Sequence, residues 1–169
     1  MTHTNPADIE MIVVDVDGVL TDGSIFYDNN GGELKRFNTK DGFGIRLWMK
    51  LGFRFGIITG RESGAVSRRA GELGIEDVVQ GSKDKDADLR AMCERAGVTP
   101  ERCAFVGDDW PDLPAMAIAG YPVAVGDAHR VVVERAAWVT TLPGGRGAVR
   151  ETIDHLIDHK GLMDEALGR

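Results

Sequence analysis

Asp15 and Asp17 lie two positions apart at the end of an apolar run, residues 9–16. Because alternate side chains of an extended chain point the same way, this spacing predicts that both carboxylates face one side. Two carboxylates that close repel each other unless a cation or a shared proton lies between them. The pair is therefore a candidate for nucleophilic or acid–base chemistry beside a metal ion.

A second group of carboxylates, Asp108, Asp109 and Asp112, follows another apolar run. The turn that holds them contains no histidine or cysteine. An all-oxygen set of this kind suits a hard cation such as Mg²⁺ better than a softer metal. If the two groups of carboxylates meet, the sequence predicts a Mg²⁺ site between them.

Three further residues offer groups that bind anions. Thr59 has a hydroxyl, Gly60 has an unobstructed backbone N–H, and Lys85 stands at the start of a predicted helix. A cation, a hydroxyl, an amide and an ammonium around one carboxylate would hold a phosphoryl group beside a nucleophile. This combination indicates phosphoryl transfer.

The elements that must position these residues alternate between strands and helices. Continuous apolar runs predict strands buried on both faces, as in a parallel sheet. Alternation with helical patterns predicts an α/β fold, a Rossmann-like doubly wound parallel sheet whose ligand crevice lies at the carboxyl ends of the strands. The predicted strands are residues 9–16, 53–58, 78–80, 103–106, 121–125 and 137–140, and the predicted helices are 41–50, 62–73, 84–96, 113–119, 128–136 and 148–160.

One segment breaks this alternation. Residues 24–27 and 33–37 flank a turn rich in asparagine and glycine, which predicts a β-hairpin that projects from the main sheet. The chain between Asp17 and Thr59, and between Lys85 and Asp108, is too short for another domain, because domains rarely fall below about 50 residues. We therefore expect a single domain over residues 1–169 without a cap domain, with flexible ends at 1–8 and 162–169.

Composition excludes several classes of protein. Hydrophobic residues make up 43% of the 169 residues, which excludes a disordered chain, and no apolar run reaches the ~18 residues of a membrane span. The net charge of −7 argues against a nucleic-acid partner. Two cysteines without metal-type spacing and a polar start without a signal peptide predict a cytoplasmic protein with no membrane partner.

The order of these motifs, from the Asp15 pair through Thr59-Gly60 and Lys85 to the Asp108 turn, resembles the signature of the haloacid dehalogenase superfamily of phosphatases. Longer stretches resemble the 3-deoxy-D-manno-octulosonate 8-phosphate (Kdo-8-phosphate) phosphatases, over about residues 9–157. These stretches are residues 15–23, 37–46, 58–61, 80–81 and 144–151. The resemblance implies a step in lipopolysaccharide precursor synthesis.

The resemblance also implies roles for the motif residues. Asp15 would attack phosphorus to form an aspartyl-phosphate, and Asp17 would protonate the leaving oxygen and then activate water. Thr59 and Lys85 would hold the phosphoryl oxygens. Mg²⁺ would be bound by the Asp15 carboxylate, the Asp17 main-chain carbonyl and Asp108, and supported by Asp109 and Asp112. The implied substrate-binding residues are Asp17, Asn38, Thr39, Lys40, Asp41, Gly42, Arg46, Gly60, Arg61, Arg69 and Lys85.

The family resemblance further implies a capless homotetramer, in which four hairpins assemble a central barrel and a neighbouring subunit closes each site. Ile25, Phe26, Leu34 and Phe37 of the hairpin would be poorly placed in water on a monomer. We expect residues 144–150 or the C-terminal tail to reach toward a neighbour's site.

Two alternatives stay open at this point. One is a phosphatase for a nine-carbon sialic-type acid phosphate, although Arg61 and Arg146 favour the eight-carbon acid. The other is a non-catalytic oligomerising module, related to the C-terminal domain of some sialic-acid cytidylyltransferases. The complete set of motif residues favours an enzyme whose partner is a small sugar-acid phosphate.

Overall fold

A computed structural model describes residues 3–169, in which the strands form two separate sheets. Six strands form a parallel sheet in the order β5-β4-β1-β6-β7-β8, and β2 and β3 form an antiparallel hairpin outside it. The strands are β1 (Met11–Val14), β2 (Phe26–Tyr27), β3 (Glu33–Leu34), β4 (Arg54–Ile58), β5 (Asp77–Val79), β6 (Cys103–Gly107), β7 (Tyr121–Ala124) and β8 (Trp138–Val139). The predicted parallel α/β sheet is confirmed.

Helices cover both faces of this sheet. Ile12 and Val14 of β1 belong to one apolar core, which also contains side chains of α1, α2 and α6. Met11 and Val13 belong to the other core, with side chains of α3 and α4. The helices are α1 (Thr39–Lys50), α2 (Gly64–Leu73), α3 (Lys85–Ala96), α4 (Leu113–Ile118), α5 (Arg130–Val133), α6 (Ala148–His159) and α7 (Met163–Ala166). None of the helices within residues 3–169 is long and apolar enough to cross a membrane.

The strand order changes direction beside β1. The chain runs outward from β1 to β4 and β5, and then returns to β6 on the opposite side of β1. Strands β1 and β6 are neighbours, with Val14 paired to Val106. In open α/β sheets, the connections that leave such a pair of strands diverge and open a crevice at their carboxyl ends. This crevice is where the two predicted groups of carboxylates are brought together.

Helix α5 and the hairpin are among the elements that are shorter than the sequence predicts. Helix α5 covers Arg130–Val133 rather than 128–136, since the His129 ring accepts the Val131 N–H at its start and the Ala137 N–H pairs with Pro122 after it. The hairpin pairs only Phe26–Tyr27 with Glu33–Leu34. Beyond β3 the chain turns inward, and Phe37 packs against the core instead of standing in water, which corrects the expectation for that residue.

Both ends of the described segment, residues 3–169, touch the rest of the fold. The Thr4 N–H bonds to the Gly120 carbonyl at 3.0 Å, and Lys160 Nζ donates to the Ala7 carbonyl at 2.8 Å. At the other end, α7 follows α6, and Met163 packs against the core. Residues 1 and 2 lie outside the described residues, and flexibility of the remaining terminal segments stays a prediction.

Candidate active site

Three carboxylates meet at the crevice between β1 and β6. Asp15 follows β1, Asp108 follows β6, and Asp112 closes the short turn Trp110–Asp112. One oxygen from each of the three carboxylates lies within 4.8 Å of the others. Asp15 and Asp112 are buried, whereas Asp108 is partly exposed. The predicted convergence of the first and fourth motifs therefore appears in the tertiary structure.

Lys85 at the start of α3 joins two of these carboxylates. Its Nζ lies 3.0 Å from Asp15 Oδ1 and donates to Asp112 Oδ1 at 2.7 Å. The second oxygen of Asp112 accepts the backbone N–H groups of Asp108, at 2.9 Å, and Asp109, at 3.3 Å. Both oxygens of Asp112 are thus engaged, so this residue orients Lys85 and shapes the turn. The Asp109 side chain is exposed and accepts the Trp110 N–H at 2.8 Å.

Electrostatic repulsion is strong within the cluster. Burial raises the pKa of Asp15 to about 6, and the charge of Asp112 adds to this effect while the Lys85 ammonium opposes it. Burial also raises the pKa of Asp108 to about 8, again with Asp112 and then Asp15 adding to the effect. Desolvation and like charges both disfavour the ionised carboxylates, and a bound cation would reverse the balance.

The cluster has the ligands that a Mg²⁺ ion requires. Asp15 Oδ1 is buried and contacts the Lys85 ammonium, but within residues 3–169 it accepts no hydrogen bond of good geometry. The Asp108 carboxylate lies close to the backbone of Gly18 in the first motif, where φ is +98°. A Cβ at Gly18 would collide with this carboxylate. A hard cation is the group that such carboxylate oxygens bind well. The carboxylate oxygens present therefore fit Mg²⁺.

The Asp17 carboxylate has different partners from that of Asp15. Asp17 Oδ1 forms an ion pair with Lys35 from the hairpin, and its Oδ2 lies 3.7 Å from Arg61 Nε. The Lys35 side chain is almost fully buried by this contact. Sequence reasoning missed Lys35. A signal was available, since Glu33 and Lys35 alternate along a strand with the period of two that places both side chains on one face.

Thr59 and Gly60 lie at the end of β4, the other strand adjacent to β1. Thr59 is buried, its N–H donates to Val79 at 2.9 Å, and its carbonyl accepts the Ser82 N–H at 3.0 Å. These bonds tie the turn after β4 to the turn after β5. Gly60 is exposed, and the nearest atom to a Cβ placed there would be the Ser82 carbonyl at 3.7 Å. The turn is therefore open where a side chain at Gly60 would stand.

The predicted substrate loop, residues 38–42, forms the start of α1. Asn38 caps the helix, because its side chain accepts the Lys40 N–H at 2.9 Å, and Thr39 and Lys40 are exposed. Asp41 is buried, and its Oδ1 accepts the Arg150 N–H of α6 at 2.8 Å. The Asp41 carboxylate thus joins α1 to α6.

Arg46 and Arg69 lie on the neighbouring helices α1 and α2. Together with Thr39 and Lys50 they line a groove of about 660 Å³ between these helices. The Arg69 guanidinium lies over Gly42, where a Cβ would collide with Nη2. Among the described residues, no hydrogen bond or ion pair joins Arg46 or Arg69 to the carboxylate cluster. Their assignment to substrate stays a prediction.

Comparison with known proteins places this geometry in a family. Residues 44–120 match the family model of the haloacid dehalogenase-like hydrolases. The chain is 45% identical over 170 residues to the 3-deoxy-D-manno-octulosonate 8-phosphate phosphatase of Salmonella typhi, a match that covers 99% of this chain and 90% of that protein. This protein belongs to the Kdo-8-phosphate phosphatase family of haloacid dehalogenase-like hydrolases.

Solved structures of Kdo-8-phosphate phosphatases share the whole fold. The enzyme of Yersinia pestis is 41% identical, with a TM-score of 0.93 over 95% of this chain and 86% of that one. The enzyme of Moraxella catarrhalis, in complex with a magnesium ion, a phosphate ion and a Kdo molecule, is 36% identical with a TM-score of 0.94. That match covers 97% of this chain and 94% of the other.

Proposed function

We propose that this protein is a Mg²⁺-dependent phosphatase that hydrolyses Kdo-8-phosphate to Kdo and inorganic phosphate. The observation that carries this proposal is the meeting of Asp15, Asp108 and Lys85 at the crevice of a chain from this family. The Moraxella catarrhalis relative with magnesium, phosphate and Kdo supports the same metal and the same sugar acid. The reaction is a step of lipopolysaccharide precursor synthesis.

In this proposal Asp15 is the nucleophile. One of its carboxylate oxygens attacks phosphorus, the bond between phosphorus and the sugar oxygen breaks, and an aspartyl-phosphate forms. Lys85 orients the attacking carboxylate at 3.0 Å and, with Thr59 and the Gly60 amide, holds the phosphoryl oxygens. Asp112 fixes the Lys85 ammonium, so that its direction is set before substrate arrives.

Asp17 carries the protons in both steps. Its carboxyl group donates a proton to the departing sugar oxygen, and its carboxylate then takes a proton from the water that attacks the aspartyl-phosphate. The second step releases phosphate and regenerates the Asp15 carboxylate. The Asp17 carboxylate contacts Lys35 and Arg61 rather than the three clustered carboxylates.

The Mg²⁺ site would consist of the Asp15 carboxylate, the Asp17 main-chain carbonyl and Asp108, with Asp109 and Asp112 outside the ligand shell. When bound, the ion neutralises charge on the carboxylates and on the phosphoryl oxygens. Asp112 is better suited to support than to ligation, because both of its oxygens already accept hydrogen bonds.

Substrate recognition would depend on guanidinium groups around this site. Arg61 lies beside Asp17, where it would bind the sugar-acid carboxylate by a pair of charge-assisted hydrogen bonds. Arg46 and Arg69 line a groove with Thr39, Gly42 and Lys50. We propose that Arg46, Arg69 and residues 38–42 also contribute to substrate binding.

The hairpin supports a homotetramer. Phe26 and Leu34 are paired across the two strands, and they are 50% and 64% exposed, with Ile25 48% exposed beside them. A two-stranded hairpin with an apolar exposed face is marginally stable unless something covers it. We propose that the hairpins of four subunits pair around one axis, and that each neighbour covers a site which has no cap domain over residues 1–169.

The location that fits these properties is the cytoplasm. Both cysteines, Cys93 and Cys103, are buried and unpaired in the described part of the chain. Free thiols are typical of a reducing compartment. The proposed partner is a small sugar-acid phosphate, with no nucleic acid and no membrane involved.

A phosphate-release screen tests the proposed function. The purified protein with Mg²⁺ would be offered Kdo-8-phosphate, a nine-carbon sialic-type acid 9-phosphate and neutral sugar phosphates. We expect the highest kcat/KM for Kdo-8-phosphate. A higher value for the nine-carbon acid phosphate, or an absence of turnover with every compound, would contradict the proposal.

A further inference from the structure

One face of the hairpin is polar and contacts the candidate active site at the carboxyl ends of the main strands. Tyr27 and Glu33 are directly paired in the antiparallel register, so their side chains lie on the same face. Both reach Arg61, whose Nη2 donates to Glu33 Oε1 and lies 3.5 Å from the Tyr27 hydroxyl. The apolar pair, Phe26 and Leu34, occupies the opposite face of the hairpin.

Lys35 connects this polar face to the active site through an ion pair with Asp17. It follows Glu33 by two positions, its Nζ lies 3.7 Å from Glu33 Oε1, and it forms an ion pair with Asp17. The Lys35 side chain is only 1% exposed and that of Glu33 only 18% exposed. The Glu33 carboxylate is therefore held against the site by two cations rather than moving freely in water.

The Arg61 guanidinium is only partly used by these contacts. Its Nε is buried and lies 3.7 Å from Asp17 Oδ2, but it donates no hydrogen bond to any residue in the 3–169 range. Glu33 accepts one N–H bond from the Arg61 guanidinium, whereas a planar guanidinium can donate two parallel N–H bonds to one carboxylate. A substrate carboxylate that accepts two N–H bonds from Arg61 would therefore displace the Glu33 carboxylate, which accepts one.

We propose that Glu33 is a specificity-determining residue, whose carboxylate occupies Arg61 until the carboxylate of an acidic sugar phosphate displaces it. This inference rests on the proposed function, in which Arg61 binds the substrate carboxylate. A neutral sugar phosphate has no group that can take the place of Glu33, so Arg61 stays engaged with the hairpin. The internal carboxylate thus reduces the apparent affinity for the acidic substrate, because only the fraction of sites with Arg61 released can bind it.

The test compares wild-type protein with Glu33→Gln, which keeps the shape of the side chain and removes its charge. We expect KM for Kdo-8-phosphate to fall at least about threefold, with kcat nearly unchanged, because less of the binding free energy is used to free Arg61. KM for a neutral sugar phosphate should stay as in wild type. An unchanged or higher KM for Kdo-8-phosphate overturns the proposal, since a higher value means that Glu33 only positions Arg61.

Asp28→Asn is the matched control. Asp28 lies on the same hairpin and accepts the Asn30 and Gly32 N–H groups, which an asparagine oxygen can also accept, and it makes no contact with Arg61 within the described residues. The substitution removes one negative charge from the hairpin and leaves the contact between Glu33 and Arg61 unchanged. We expect the KM values of wild type, and an equal fall in this variant would overturn the proposal.

A binding measurement separates this inference from the proposed function. Free Kdo has the carboxylate and lacks the phosphate, and calorimetry with the Mg²⁺-loaded protein gives its dissociation constant without turnover. We expect Kdo to bind Glu33→Gln at least about threefold more tightly than wild type. Equal binding, or no binding to either protein, overturns the inference. Failure of wild type to release phosphate from Kdo-8-phosphate instead contradicts the proposed function.

Discussion

Lys85 Nζ lies 3.0 Å from Asp15 Oδ1, although the two residues are far apart in the sequence. Lys85 begins α3, whereas Asp15 directly follows β1. Asp112 completes this contact by accepting from the same ammonium at 2.7 Å. The Lys85 ammonium is thus fixed between Asp15, which it contacts as an ion pair, and Asp112, whose two oxygens both accept hydrogen bonds. This asymmetry fits the proposed roles, in which Asp15 reacts and Asp112 supports it.

Asp15→Asn should lower the rate of phosphate release by at least about 10³-fold, because the amide is a poor nucleophile and cannot form the aspartyl-phosphate. Steady-state assays with saturating substrate and Mg²⁺ measure the effect. Circular dichroism and thermal unfolding should show a folded protein. Turnover near that of wild type would exclude the proposed mechanism. An unchanged assembly with no activity would also separate the enzyme from a purely oligomerising module.

Asp17→Asn should slow both half-reactions, because the amide can neither donate a proton to the leaving oxygen nor accept one from water. Rapid-quench experiments resolve the formation and the hydrolysis of the phosphorylated protein. The matched control is Asp158→Asn, which changes an exposed carboxylate on α6, outside the motifs, and should leave both half-reactions unchanged. A loss confined to one half-reaction would contradict the dual role of Asp17.

Removal of Mg²⁺ by a chelator should abolish turnover, and addition of Mg²⁺ should restore it. Ca²⁺ should bind but support little activity, since its larger and more flexible coordination shell places the reacting groups poorly. Calorimetric titration of Mg²⁺ onto wild type and Asp108→Asn should show weaker binding to the variant, because one carboxylate ligand is lost. Full activity in a metal-free preparation would contradict the assignment.

Arg61→Ala should reduce the preference for Kdo-8-phosphate over neutral sugar phosphates. A charge-assisted hydrogen bond contributes about 1.5–3 kcal/mol, so the ratio of kcat/KM values should fall roughly tenfold to more than a hundredfold. The comparison within one variant controls for general damage to the site, because both substrates carry the same phosphate. If the variant discriminates as well as wild type, Arg61 does not read the carboxylate.

Ile25→Glu combined with Leu34→Glu should break the assembly into smaller species, because like charges replace the apolar face of the hairpin. Light scattering coupled to size exclusion gives the mass, and activity should fall with it. Asn29→Glu adds a negative charge to the turn of the same hairpin, outside that face, and should leave the mass unchanged. A fully active wild-type monomer at assay concentration would refute the homotetramer.

His155 should make stability depend on pH. Its ring stacks on Trp138 with centroids 4.1 Å apart, and its Nε2 lies 2.8 Å from the Tyr121 hydroxyl. Burial, together with the charge of His159, lowers the pKa of His155. The unfolded state therefore binds a proton at a higher pH than the folded state does, so the free energy of unfolding should fall as pH decreases through the ordinary histidine pKa of about 6.5.

Urea unfolding of wild type and His155→Phe at pH 7.5 and pH 5.5 measures this contribution. The difference between the two proteins isolates the histidine, since the raised carboxylate pKa values of Asp15 and Asp108 act equally in both. Wild type should lose more stability than the variant on acidification. An equal change in both proteins would show that His155 contributes nothing to the pH dependence.

The sequence alone was sufficient to predict the sheet and the residues of the carboxylate cluster. Continuous apolar runs such as those around Val14 and Val106 are buried on both faces, a property that depends on local composition and period. Polar residues that directly follow such runs must lie at the carboxyl edge of a parallel sheet. Asp15, Thr59 and Asp108 could therefore be assigned to one edge before any contact was known.

The partners of these residues depended on tertiary structure. Asp112 is engaged by Lys85 and by two backbone amides, whereas Asp15 contacts only the Lys85 ammonium among these groups. This difference follows from the path of a turn and not from residue type. The same holds for Lys35 on Asp17 and Glu33 on Arg61. Sequence spacing predicts which face of a hairpin a side chain occupies. The surface that this face meets is set by how the hairpin folds back onto the sheet, because contacts between distant segments depend on the packing of the whole chain.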